Sequence, residues 1–143
     1  MFKNIFKKRE SKNNNTSKIL IASILVHAAK IDEIYTDIEK EIIKKALLNL
    51  YGIEEIEAEK ILSLAEIKEE ESNQIIEFTK EIKKNSVEFR LKIIEILWEI
   101  VYSDGTQDVY ESNLIRRVCG LLYISDKENG FIKLRIKNLI KNK

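Results

Sequence analysis

Two stretches of this chain are apolar around nearly their whole circumference at helical spacing, and they lie 72 residues apart in ungapped register. The first covers residues 18–31, where Ser23, His27 and Lys30 form one narrow polar stripe at i, i+4, i+7. The second runs from Val87 to Val101, with Lys92, Glu95 and Glu99 as its stripe. A helix apolar on almost every side must be covered on several sides, so each belongs at the centre of a bundle. Neither can bury itself alone. The expectation is an all-α single domain in which the two central helices pack about a pseudo-two-fold axis.

The register continues past both helices. Asp32 matches Asp104, Glu39 matches Glu111, and Ile42-Ile43-Lys44-Lys45 matches Leu114-Ile115-Arg116-Arg117. Each unit therefore reads as helix, acidic loop, helix. The two differ where Glu33 stands opposite Gly105, Thr36 opposite Asp108 and His27 opposite Glu99. Thr36-Asp37-Ile38-Glu39 is a capping box for the second helix, whose apolar stripe is Ile38, Ile42, Ile43, Ala46, Leu47 and Leu50 and whose stop is Gly52. A third helix is expected over residues 54–67 with Ile56, Ile61, Leu62 and Ala65 inward, then a charged connector at 68–71 and a short helix over 73–83. Ser86 caps the fifth helix and Asp108 the sixth, which buries Leu114, Ile115, Val118 and Leu122. Ser125 caps the seventh, where Gly130 is expected to make the first turn irregular.

Composition agrees with this class. With no proline and four glycines in 143 residues, the chain lacks the turn formers that an all-β design needs. Hydrophobic residues at 44% and charged residues at 34% are the balance of a folded globular domain. Charge is unevenly placed. Residues 1–18 hold Lys3, Lys7, Lys8, Arg9, Lys12 and Lys18 against Glu10, a net +5 in a chain of net +1, which leaves the remainder at −4. The domain is thus no nucleic-acid binder by charge. Residues 1–17 are expected to be a basic, disordered tail and linker, and residues 18–143 the helical domain. The alternative for residues 1–9 is a weak membrane-surface contact, since Phe2, Ile5 and Phe6 stand at helical spacing among basic residues. The apolar run at 19–26 is too short to span a bilayer, and the expected location is cytoplasmic.

The chemistry concentrates in the loops. Asp104, Asp108 and Glu111, at i, i+4, i+7 across a loop-to-helix junction, could converge several oxygens on a hard divalent cation, with Gly105 allowing a sharp turn. Asp32 and Glu39 are the weaker counterparts in the first loop. The loop is no EF-hand, because the sixth position from Asp104 is Val109 and the twelfth is Ile115. Calcium, magnesium and zinc remain equally open. Capping alone would account for Asp108 and Glu111. His27, the single histidine, reads as a hydrogen-bonded structural residue, and Cys119 and Trp98 as core. No phosphate loop, nucleophile elbow or zinc-protease motif occurs, so the expected mode is binding of a partner protein rather than catalysis. A hydrophobic groove between the two units is the metal-independent alternative.

The string Leu97-Trp98, Asp104-Gly105, Asp108, Glu111, Leu114-Ile115-Arg116-Arg117 resembles the TerB-like family of tellurite-resistance proteins, also found as the N-terminal domain of DjlA-type co-chaperones. The likeness extends over residues 18–143. It implies a seven-helix pseudo-symmetric fold, an acidic surface for divalent cations, and membership of stress-response complexes, some at the inner face of the membrane. It implies no enzyme activity. A J-domain is excluded, because its His-Pro-Asp motif needs a proline.

Overall fold

The computed structural model describes residues 2–31, 33–72, 74–104 and 109–141, with side chains described for all of these except 2–14, 104 and 109–111. The described residues form seven α-helices and no strand: α1 (Phe2–Lys30), α2 (Asp37–Tyr51), α3 (Glu55–Glu71), α4 (Ile76–Lys83), α5 (Val87–Val101), α6 (Val109–Leu121) and α7 (Asp126–Lys141). A 3-10 turn, Tyr102–Asp104, extends α5.

The expected central helices are central. Along α1, Ile21, Ala22, Ile24, Leu25, Val26, Ala28 and Ala29 are all buried, as are Ile93, Ile94, Ile96, Leu97, Trp98, Ile100 and Val101 along α5. The repeat proves to be three helices long. α3 lies along α1 as α7 lies along α5, and α4 links the two halves. Both polar stripes run along these seams, with Lys92 of the second exposed. On the first, Ser23 Oγ donates to Ile19 O at 2.7 Å and to Ala65 O at 3.4 Å. On the second, Glu95 pairs with Arg135 at 3.2 Å.

Local signals set most boundaries. Thr36 Oγ1 accepts the Glu39 N–H at 3.1 Å, while Glu39 Oε1 accepts the Thr36 N–H at 2.9 Å, closing the capping box of α2. Gly52, at φ 60°, ends α2 by donating its N–H to Leu48 O. Ser86 and Ser125 accept the Phe89 and Glu128 amides, starting α5 and α7. Lys44 stitches α2 to α3, its Nζ 3.1 Å from Glu59 and 3.7 Å from Glu55.

Four expectations need correction. α1 starts at Phe2 rather than near residue 18, since nothing from 2 to 17 is proline or glycine and an established helix propagates at little cost. Residues 68–71 are the last turn of α3, not a connector. Gly130 sits within a regular α7 with no irregular first turn. Ile38 and Ile56 do not face the core: they are 64% and 79% exposed. Ile38 precedes Ile43 by five residues, about 140° out of phase on a helix of 3.6 residues per turn. Ile56 is likewise on the far side of α3 from the buried Ala58, Ile61, Leu62 and Ala65.

Candidate functional site

One end of the bundle gathers the features that could act on another molecule. There α1 ends at Lys30 and α2 opens at Thr36, beside the end of α5 and the last turns of α7.

In the first repeat this end is closed by polar contacts. His27 Nδ1 lies 3.1 Å from Glu69 Oε1, and Lys30 Nζ donates to Glu69 Oε2 at 3.0 Å. Lys30 also approaches Glu70 at 3.6 Å. The hydrogen bond that Lys30 donates to Glu69, with the charges of Glu69 and Glu70, holds its ammonium above its ordinary pKa, against some desolvation. The histidine is therefore a hydrogen-bonded seam residue, as its lone occurrence suggested. Beside it, Lys40 caps the Tyr35 ring at 4.9 Å from the centroid. The Tyr35 hydroxyl is buried without a hydrogen-bond partner among the described residues. Burial, then Glu66, Glu39 and Glu69, raise its pKa above the usual phenol value.

In the second repeat an apolar groove lies beside the corresponding seam. Glu99, which matches His27, borders this groove, whose volume is about 340 Å³. Its walls are Ile38 and Ile42 of α2, Tyr102 and Ser103 at the end of α5, and Ile136, Leu139 and Ile140 of α7. Ile38 and Leu139, at 64% and 56% exposed, are its most open apolar side chains. The groove therefore runs between the first repeat and the second. Part of its signal was in the sequence: Ile38 stands out of phase with the buried stripe of its own helix.

The five proposed cation ligands fare unevenly. Asp32 and Asp108 lie outside the described residues, as do the side chains of Asp104 and Glu111. Glu39 is buried, and its Oε1 accepts both the amide and, at 3.0 Å, the hydroxyl of Thr36. Its geometry is that of a cap. Among the described residues no group of three His, Cys, Asp or Glu side chains could hold a metal ion. Glu33, at φ 67°, takes a left-handed conformation where the second repeat has Gly105, 72 residues on. The Lys44-Lys45 pair is no anion site as a unit, because Lys44 is engaged by carboxylates.

The remaining reactive side chains are internal. Cys119 is buried, and burial together with Asp126 and Glu128 pushes its thiol up to about 12. Trp98 Nε1 donates to Asn129 Oδ1 at 2.9 Å, and its ring stacks on Tyr102 at 5.7 Å.

Comparison with protein-family models matches residues 18–135 to the family described as tellurite resistance protein TerB. The chain belongs to the TerB family. The TerB match takes in both repeats as far as the middle of α7, and leaves out residues 2–17 and the groove residues Ile136, Leu139 and Ile140. No curated protein and no solved structure matches the chain. Among the described residues no helix is long and apolar enough to cross a membrane.

Proposed function

We propose that this TerB-family protein acts by binding rather than by catalysis, and that its working surface is the loop end of the bundle. What supports the reading is the groove: an apolar cleft opening between the repeats, next to the ends of both acidic loops. Its partner is a protein segment with an apolar face. The state of the two obvious nucleophile and base candidates also supports it. Cys119 is buried with its thiol held protonated at neutral pH, and the His27 ring is tied to Glu69.

A divalent cation is the second element of the proposal. Asp104, Asp108 and Glu111 would hold it in the second loop, with Asp32 and Glu39 as the lesser pair. A cation there would brace the loop that adjoins Ser103 and so set the mouth of the groove. Glu39 fits this role poorly, since one carboxylate oxygen is already committed to the cap. The proposed role is cytoplasmic and belongs to stress response, with residues 1–9 able to touch the membrane face.

Two experiments test the halves of this reading. Calorimetric titration of Ca²⁺, Mg²⁺ and Zn²⁺ into the full chain should show saturable binding by one of them that Asp104→Asn abolishes. Absence of heat with every ion would leave the carboxylates as caps and surface charge. For the groove, a photo-crosslinking side chain at position 38 should trap a discrete protein adduct in cells, and one at the exposed position 60 should not. Equal labelling from both positions would remove the groove as a docking surface.

A further inference from the structure

α7 presents a second surface, on the side turned away from the groove. Phe131 and Leu134 are 70% and 59% exposed there, although both are large and apolar. At about 100° per residue they share an arc of roughly 120° with the exposed Lys137 and Lys141. That arc lies opposite the buried Ile132 and Ile136. We propose that it is a lipid-binding face, on which α7 lies flat against a bilayer with anionic headgroups. This stands on different residues from the groove and from residues 2–9.

Charge agrees with an anionic surface. Over residues 129–141 the helix carries Lys133, Arg135, Lys137 and Lys141 and no acid, although residues 19–143 together are net −4. Arg135 is committed to Glu95, and Lys133 lies 5.2 Å over the Trp98 ring. Lys137 and Lys141 have no ion-pair partner among the described residues. Acids do stand on the other flank of Phe131. Glu88, Glu95 and Glu128 line a groove of about 630 Å³ with it, but Lys92, Lys127 and Arg135 line the same groove and balance them. The uncompensated charge is thus on the outer arc.

Shape decides between a bilayer and a partner helix. α7 packs on α5 and α6 through its buried side, so Leu134, Lys137 and Lys141 stand on the convex outer side. A partner helix needs a groove to lie in, and this arc is a ridge. Fluid lipid needs none. The apolar side chains enter the boundary between headgroups and acyl chains, while the lysine stems run beside them and keep the ammoniums at the phosphate level. No described helix is long and apolar enough to cross a membrane, so α7 lies in the surface plane. Leu139 of the groove follows Leu134 by five residues, about 140° round the helix. A bilayer on the outer arc therefore leaves the groove uncovered.

Co-sedimentation of the full chain with vesicles tests this. The protein should pellet with mixed phosphatidylserine and phosphatidylcholine vesicles and stay in solution with phosphatidylcholine alone. Lys137→Gln combined with Lys141→Gln should weaken binding roughly 25-fold, since each lysine at an anionic surface contributes about fivefold. Phe131→Ser combined with Leu134→Ser should remove binding at the same salt. All four side chains are exposed, and unchanged circular dichroism and Tm will verify the fold. In Phe131→Trp the emission should move to shorter wavelength when anionic vesicles are added, while the buried Trp98 of the wild type gives no such change. Wild-type protein that never pellets overturns the proposal, as does equal pelleting with both vesicle compositions. Both α7 variants pelleting like wild type, or an unmoved emission in Phe131→Trp, overturns it too. Binding lost in the triple variant Phe2→Ser, Ile5→Ser, Phe6→Ser but kept in both α7 variants assigns the lipid contact to residues 2–9 instead. Protein that ignores vesicles but self-associates in sedimentation velocity, and loses this in Phe131→Ser with Leu134→Ser, gives the face to a second copy and overturns the lipid assignment.

Discussion

His27 and Glu69 meet across the seam between α1 and α3, Nδ1 to Oε1 at 3.1 Å, and the same carboxylate takes the Lys30 ammonium on its other oxygen. In the second repeat Glu95 of α5 pairs with Arg135 of α7 at 3.2 Å. Glu99 stands where His27 stands, and α7 brings Ile136, Leu139 and Ile140 to the groove. One matching position in the duplicated helix therefore holds a histidine bonded across its seam in the first copy and a carboxylate beside an apolar groove in the second.

Glu69→Ala removes both bonds at once and leaves His27 and Lys30 without that acceptor. Hydrogen bonds to charged groups contribute about 1.5–3 kcal/mol when sheltered. Glu69 is mostly buried but Lys30 is about a third exposed, so solvent screening brings the expected loss to about 1–2 kcal/mol. Urea unfolding at neutral pH will read it. A loss indistinguishable from zero would mean that the seam is held by its apolar contacts alone.

Stability should decline on the alkaline side, and Cys119 gives the decline a handle. Its thiol is raised to about 12 in the fold, so the native state keeps a proton that the unfolded chain releases near 8.5. A raised acid pKa favours folding less and less as pH climbs through that interval. Tyr35 and Tyr51 act in the same direction from about pH 10. Lys30, also raised, contributes fully below the ordinary lysine pKa and loses its contribution above it. Cys119→Ala should therefore show a shallower fall in urea midpoint between about pH 8.5 and 12 than the parent. Parallel pH profiles would refute the assignment.

Glu33 is held at φ 67°, a conformation that costs a residue with a Cβ about 1–2 kcal/mol. Glu33→Gly should raise stability by about 0.5–1 kcal/mol once the greater chain entropy of glycine is deducted. The same substitution gives the first loop the residue that the second loop already has. Thermal unfolding is sufficient to check it, and a lower Tm would point to a stabilising role for the Glu33 side chain.

Thr36→Ala should cost about 1 kcal/mol, because the hydroxyl both accepts the Glu39 amide and donates to its carboxylate. Tyr35→Phe should be neutral or stabilising, since it deletes a buried hydroxyl that no described residue satisfies. Paired denaturation curves for the two variants will separate a working polar group from an unsatisfied one. Destabilisation by Tyr35→Phe would reveal a partner for that hydroxyl.

The fold was legible because its strongest signals are local or periodic. Thr36, Ser86 and Ser125 announce helix starts through chemistry contained in four residues, and the two nearly all-apolar helices could only be central. Long-range pairing was less legible. Lys68 to Glu71 read as a solvated connector because nothing in the sequence says that Glu69 will meet His27, 42 residues away. Ile38 and Ile56 are apolar but lie out of phase with the buried stripes of their helices, which hydrophobicity alone does not reveal. The groove follows from that phase, since Ile38 is exposed toward α7 rather than buried beneath α2. Of the acidic residues that the spacing drew together, the structure describes one carboxylate, and it serves the backbone of its own helix.

The groove at the end of α7 has a further consequence for how such a chain can change. A duplicated fold whose two halves are both fastened by paired charges can accept substitutions along the exposed end of α7 with little risk to the whole. Leu139 and Ile140 are replaceable in a way that Ile43 or Leu97 is not, because they cover a surface instead of filling an interior. Recognition in this architecture can therefore drift and be retuned while folding stays anchored elsewhere.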